Sequence, residues 1–272
     1  MKKEPLEVAL EAAKLAGKVL MASYGKLRHS QISMKSKNDF VTEVDKKSER
    51  LIINTIKKYF PDHAIQGEET GISAGKGTLW IIDPLDGTSN YIHNIPVFSV
   101  SIGIMEGNEM KAGVIYDPVH EEMFQAKKGG GATLNKSKVH VTKVRSLSEA
   151  LMTTGIPFRA RDRFDEYIES FRRISLATVG MRRGGSAALD LAYVACGRFD
   201  GFWELDLSPW DIAAGALILT EAGGTITDMW GKKDYFKNGD TLATNGLLHK
   251  ELRRITSGIF SPSMKDKQCR LS

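Results

Sequence analysis

The chain has 272 residues, 42% hydrophobic and 8% aromatic, enough apolar material for a sizeable core, which excludes disordered and fibrous classes. Its formal net charge is +5, from 38 Lys and Arg against 33 Asp and Glu; such a field helps gather an anionic substrate but falls far short of a nucleic-acid-binding extreme. Two distant cysteines, Cys196 and Cys269, outside any CxxC spacing, argue against a disulfide framework or zinc knuckle and for a reducing compartment.

At the N-terminus, Glu7, Glu11 and Lys14 break up any signal-peptide core. No apolar run approaches the roughly 20 residues of a membrane span, so a cytoplasmic location is expected. Apolar residues at 6, 9, 10, 13, 16 and 20 keep the helical period and predict a helix over Leu6–Tyr24, stopped at Gly25. A second helix is predicted over Thr42–Phe60, capped by Thr42 with Asp45 closing the capping box, and ended by Pro61. Asp39, just ahead of that cap, is a further acidic neighbour.

Strands follow: His63–Gln66, Leu79–Ile82, then Val97–Met105 turning at Glu106-Gly107-Asn108 into Lys111–Tyr116, and Glu122–Ala126 before a turn at Gly129-Gly130-Gly131. The second half alternates. Strands are predicted at Ala150–Thr154, Phe199–Glu204, Gly224–Asp228 and Thr241–Thr244, and helices at Asp162–Ser175, Ser186–Cys196, Pro209–Ala222 and Gly246–Ser257. Hairpins mixed with βαβ-like pieces imply a layered α/β or α+β arrangement. We expect one unit over 1–272, with halves of about 1–145 and about 146–260, and a polar tail, Ser261–Ser272, that frays.

Three stretches carry the candidate chemistry. Gly67-Glu68-Glu69 follows one strand, Asp83-Pro84-Leu85-Asp86-Gly87-Thr88-Ser89-Asn90 ends another, and Pro209-Trp210-Asp211 opens a helix. In the second stretch an apolar strand delivers Asp83 to the lip of a sheet. Pro84 starts a turn, and Asp86 returns three residues later. Gly87 allows close backbone approach, and the amides of a helix opening at Thr88 would cradle phosphate. Mg²⁺ takes carboxylate, carbonyl and water oxygens, and a pair of such ions can hold both oxygens of a phosphoryl transfer. Glu68 and Asp211 complete the set. Taken singly, each stretch has a plainer reading: a turn, a solvated loop, or an acid in a first helical turn.

Together, in this order and spacing, the stretches resemble the inositol monophosphatase family over nearly the whole chain, through Ala243. The most specific segments are WIIDPLDGTSNYIH (80–93), GSAALDLAYVACGRFDGFWE (185–204) and PWDIAAGALILTEAGG (209–224). TTGIPF (153–158) and RRGGSAALDLAYVA (182–195) look most like the bacterial inositol-1-monophosphatases of the wider FIG superfamily of metal-dependent, lithium-sensitive phosphatases.

The resemblance implies an α-β-α-β-α layered sugar-phosphatase fold and a homodimer. It implies two to three Mg²⁺ ions: Glu68, Asp83 and the Leu85 carbonyl at the first, Asp83 bridging to a second held with Asp86 and Asp211, and a looser third near Glu68. Thr88, with Asp45 behind it and Glu68 beside it, would orient and deprotonate the attacking water. Leu85, Asp86, Gly87 and Thr88 would face the substrate, with phosphate on the Gly87 and Thr88 amides. Gly185, Ser186 and Ala187 would contact the sugar, Glu204 and Asp211 would take its hydroxyls, and Arg182 is a further substrate candidate. Between Thr153 and Arg163 the chain departs from the vertebrate pattern, carrying Arg159, Arg161 and Arg163, which leaves the choice among phosphate monoesters open.

The expected activity is Mg²⁺-dependent hydrolysis of myo-inositol 1-phosphate, by single-step in-line attack of activated water without a phosphoenzyme. No HExxH motif supports a zinc route, and no Ser is read in a nucleophile elbow for a covalent one, although Gly71-Ile72-Ser73-Ala74-Gly75 matches GxSxG by letter. The alternatives are a fructose-1,6-bisphosphatase or dual sugar phosphatase. An adenosine 3′,5′-bisphosphate nucleotidase fits Ser89-Asn90-Tyr91 less well. A reading of another class is a regulatory protein binding RNA or transcription machinery through Arg159–Arg163, Arg182 and Arg183. Gly71–Gly77 looks like a P-loop but is one residue short and lacks Ser or Thr after Lys76; a mobile loop beside Glu68 is the expectation. The six histidines lack ligand spacing.

Overall fold

The computed structural model describes residues 3–27, 29–36 and 39–261. The Asp39 side chain and the tail from residue 262, Cys269 included, lie outside the described residues. Helix α1 (Pro5–Ser23) starts with Glu4 and Glu7 capping each other and buries a stripe of small residues: Ala9, Ala12, Ala13 and Ala16. A hairpin of β1 (Ile32–Ser36) and β2 (Asp39–Thr42) follows, which the sequence reading missed. Helix α2 (Glu43–Tyr59) begins as predicted: the Thr42 hydroxyl accepts from the Val44 and Asp45 amides, and Asp45 reaches back to the Thr42 N–H.

A mixed sheet is then built from β3 (Ala64–Gly67), β4 (Gly71–Ser73), β5 (Thr78–Asp86), β6 (Ser99–Glu106), β7 (Glu109–Asp117), β8 (Glu122–Lys127), β9 (Gly131–Leu134) and β10 (Ser137–Lys138), with the short helix α3 (Thr88–Ile92) after β5. The strand order is β10-β9-β8-β7-β6-β5-β3-β4. An antiparallel meander runs from β5 to β10, and β3 lies parallel to β5.

The second sheet comes from the later chain: β11 (Leu151–Thr154), α4 (Phe164–Ala177), β12 (Gly180–Arg182), α5 (Ala187–Ala195), β13 (Gly201–Glu204), α6 (Pro209–Glu221), β14 (Thr225–Thr227), α7 (Tyr235–Asn238), β15 (Thr241–Thr244) and α8 (His249–Ser257). Its order is β12-β11-β13-β15-β14. Helix α4 starts two residues later than predicted because Arg161–Arg163 forms a 3₁₀ turn. Helix α8 starts at His249 rather than Gly246, because the Asn245 carboxamide accepts from the Leu247 and Leu248 amides and holds them in a turn.

Three apolar layers hold the stack together. The faces of α1 and α2 pack on one side of the large sheet through residues such as Leu20, Ile52, Trp80 and Val100. Helices α5 and α6 fill the space between the sheets, joining Ile115 and Phe124 to Phe202 and Ala243. Helices α4 and α8 cover the far side of the small sheet around Met152, Trp203 and Leu242. The architecture is therefore α-β-α-β-α. Each fully buried Leu, Ile or Phe contributes about 1.5–3 kcal/mol of transfer free energy. Among the described residues no helix is long and apolar enough to cross a membrane.

Candidate active site

The end of β5 brings two aspartates to one place by a register shift. In a regular strand, residues three apart face opposite ways. Against β6, Asp83 pairs with Ser101 and Asp86 with Ser99, so three steps on β5 match two on its neighbour. The extra residue is a bulge, and it restores Asp83 and Asp86 to the same side. Pro84 sits inside it, where no ladder N–H is required. The Leu85 N–H donates to Asp83 Oδ1 at 3.0 Å, closing the turn. Gly87 has φ +93°, and an added Cβ would lie 2.9 Å from the Val97 carbonyl oxygen, so both conformation and space demand glycine.

Asp211 arrives from the first turn of α6, where its Oδ2 accepts the Ser208 N–H at 2.7 Å. One oxygen each from Asp83, Asp86 and Asp211 lie within 4.8 Å of one another. All three side chains are buried. Asp86 is anchored from a distance of 100 residues: its Oδ2 accepts the Ser186 hydroxyl and, at 2.8 Å, the Ala188 N–H at the start of α5. Burial, with the charge of Asp211, lifts the Asp86 carboxyl to about 7. Burial, then the charges of Glu68, Asp86 and Asp211, push Asp83 well above the carboxylate range. Carboxylates crowded this closely in a dry setting call for a cation.

Glu68 follows β3 and borders the same cavity, of about 310 Å³, but stands outside the tight aspartate group. The Thr88 hydroxyl lies 3.1 Å from Asp45 Oδ1 and 3.0 Å from the Leu85 carbonyl oxygen, either of which accepts its proton. Asp45 is buried behind it and does not line the cavity; burial raises its carboxyl. Leu85, Asp86, Gly87, Thr88, Gly185, Ala187 and Glu204 all border the cavity. Ser186 lies beneath the wall, bound to Asp86. Glu204 is pushed well up by burial and then by Asp190. Asp190, missed in the sequence, is lifted by burial to about 8 and takes the Thr153 hydroxyl at 2.8 Å.

Arg182 is placed away from the cavity. Its side chain is exposed, and Nη1 donates to the Met181 carbonyl oxygen. Arg183 lines the cavity instead: past the end of β12 the alternation of side chains sends neighbours to opposite sides. Arg159 also lines it and donates to Asp211 Oδ2 at 3.0 Å. Arg163 points elsewhere, to Asp240 and Glu166. The arginines read together in the sequence are thus dispersed. Gly71–Ser73 is an edge strand on β3 rather than a phosphate loop, with no helix after it. His63 accepts from the Trp80 indole, and His249 sits between Thr227 and Thr244.

The sequence model of the inositol monophosphatase family matches residues 1–259. A Nus factor SuhB of Pseudomonas aeruginosa is 43% identical over 266 residues, covering 96% of this chain and 98% of that protein. An inositol-1-monophosphatase of Mesorhizobium japonicum is 40% identical over 249 residues, covering 91% and 94%. The structure of an inositol monophosphatase from an Anabaena (Nostoc) species superposes with a TM-score of 0.85 at 41% identity, covering 95% of this chain and 96% of that one.

Proposed function

The chain belongs to the inositol monophosphatase family, a family of metal-dependent phosphatases, and from that premise we propose that it hydrolyses myo-inositol 1-phosphate to inositol and phosphate with Mg²⁺. The observation that carries the reading is the convergence of Asp83, Asp86 and Asp211 on a cavity bordered by Glu68 and Thr88. Every side-chain donor in that set is a carboxylate or hydroxyl oxygen, the chemistry Mg²⁺ prefers. Glu68, Asp83, the Leu85 carbonyl, Asp86 and Asp211 would hold two to three ions. When bound, the ions supply Lewis-acid activation of water and neutralise phosphoryl charge.

The protein's own groups do the rest. The Thr88 hydroxyl is poised between Asp45 and the Leu85 carbonyl, so it accepts a water proton as it passes its own to Asp45. Burial raises the Asp45 carboxyl, which makes it a stronger base than an exposed carboxylate. The Gly87–Thr88 turn faces the cavity and would seat the phosphate. Glu204, Gly185 and Ala187 border the space left for the polyol. Arg159 and Arg183 on that wall support the runner-up, a fructose bisphosphate substrate.

Phosphate release from myo-inositol 1-phosphate, fructose 1,6-bisphosphate and adenosine 3′,5′-bisphosphate, with and without Mg²⁺, tests the reading. Mg²⁺-dependent release, highest kcat/KM on the inositol ester, is the expected result. A folded, Mg²⁺-binding protein that turns over none of the three sinks it. The Nus-factor designation of the Pseudomonas relative supports a second reading, an added role in binding RNA or transcription machinery. Arg161, Arg182 and Arg183 are the exposed arginines of the set. Salt-sensitive RNA binding lost when all three become Ala supports it; no binding at low salt ends it.

A further inference from the structure

Helix α2 carries a polar stripe where a buried helix face ordinarily carries apolar residues. Asp45, Ser48 and Glu49 are each 0% exposed. Their i, i+3, i+4 spacing places them on one face. Each side chain holds a different segment of the candidate site. Asp45 takes the Thr88 hydroxyl, and the Ser48 hydroxyl donates to the Pro84 carbonyl oxygen at 3.0 Å. Glu49 takes the N–H of Glu69 on Oε2 at 2.9 Å and that of Thr70 on Oε1 at 2.8 Å. The backbone leading to Glu68 is shaped around this contact. A Cβ on Gly67 would meet the Glu49 carboxylate carbon at 2.6 Å.

A buried carboxylate is costly unless its oxygens are answered, and here both are answered by the two amides that follow Glu68. On the other side the Glu68 N–H is held by the Ile82 carbonyl oxygen at 3.1 Å. The turn is therefore clamped at both ends, and Glu49 is the end that reaches across from another element. We propose that Glu49 is a positioning residue that fixes the Glu68 turn and thereby sets the affinity of the Glu68 side of the site for a divalent cation. The inference rests on the reading of Glu68 as a cation ligand. Ser48 and Asp45 do the same for the Pro84 bulge and Thr88, so one helix face gauges three segments against each other.

Two variants separate position from charge. E49Q keeps the shape but turns an NH₂ toward one amide; E49D keeps the charge one methylene short of both amides. Calorimetric titration with Mg²⁺ should show Kd raised in both, by about 10–100-fold as for other groups that orient a ligand, with kcat at saturating Mg²⁺ near wild type. Hydrogen exchange at the Glu69 and Thr70 amides should quicken in both. Wild-type affinity in E49D with weakened E49Q would make the effect one of charge and overturn the proposal. Lowered melting temperature with unchanged Mg²⁺ affinity would make it one of packing and overturn the proposal equally. If neither variant folds, the wild type decides: linkage requires Mg²⁺ to slow exchange of those two amides, and unchanged exchange in a protein that binds the ion overturns the proposal. A wild type that binds no Mg²⁺ at all instead removes the cation reading beneath it.

Discussion

Asp83→Asn is expected to remove Mg²⁺-dependent phosphate release while leaving the metal-free protein at least as stable as the wild type. The two halves of that expectation have one cause. Asp83 is 2% exposed and feels Glu68, Asp86 and Asp211, all of which oppose its ionisation. Without a cation its charge is a burden, and an amide removes the burden. The amide oxygen still accepts the Leu85 N–H that closes the bulge, so the turn survives. With a cation the same charge is the reason the ion binds. Groups that merely orient a ligand cost about 10–100-fold when lost, so losing the ligand itself should exceed about 100-fold. Mg²⁺ at 100 times its Kd stabilises the wild type by about 2.7 kcal/mol, and this gain should vanish in the variant. Phosphate release and thermal melts with and without Mg²⁺ check both halves. A variant that melts lower without metal and keeps its Mg²⁺-driven activity would move the metal centre elsewhere.

How much of this was legible in the sequence depends on how local each cause is. The cap at Thr42 and Asp45 and the apolar periods of α1 and α2 are local, and these elements lie where the sequence placed them within a residue or two. The Asp83–Asp86 spacing is visible as a turn. The bulge that makes the two converge is a relation with β6, and no property of 83–86 alone contains it. Strands β9, β10 and β12 are short and take their identity from the neighbour they pair with. Arg182 and Arg183 are equal as letters, and strand alternation decides which faces the cavity. Glu49 falls on the buried stripe of α2, three residues before Ile52, but a carboxylate there has no reason in the sequence until residues 69 and 70 arrive to answer it.

Raising the pH from about 4 to about 8 is expected to weaken the metal-free protein, against the trend for most carboxylates. The sign follows from the direction of the shifts. Asp86 moves from 3.8 to about 7 in the folded state, so between those values the folded chain keeps a proton that the unfolded chain has released. Stability is then fully present below the unfolded value and is lost as pH rises through the folded one. A carboxyl lifted that far costs about 4 kcal/mol once the pH exceeds 7. Asp83 shifts the same way, but neighbouring acids share protons, so the contributions do not add. Glu122 and Glu166 shift downward and act on the acid side, near and below pH 4.5. Mg²⁺ binds the ionised aspartates and releases their protons, so the loaded protein should lose most of the slope. Asp190, lifted by burial to about 8 and held by Thr153 rather than grouped with the three aspartates, should keep its share. A decline across about pH 4 to 8 therefore remains with Mg²⁺ and is reduced in Asp190→Asn, with Glu204, also raised by burial, still contributing. Urea unfolding at pH 5, 7 and 8, in chelator and in Mg²⁺, reads all of this, and a metal-free protein that gains stability across that range contradicts it.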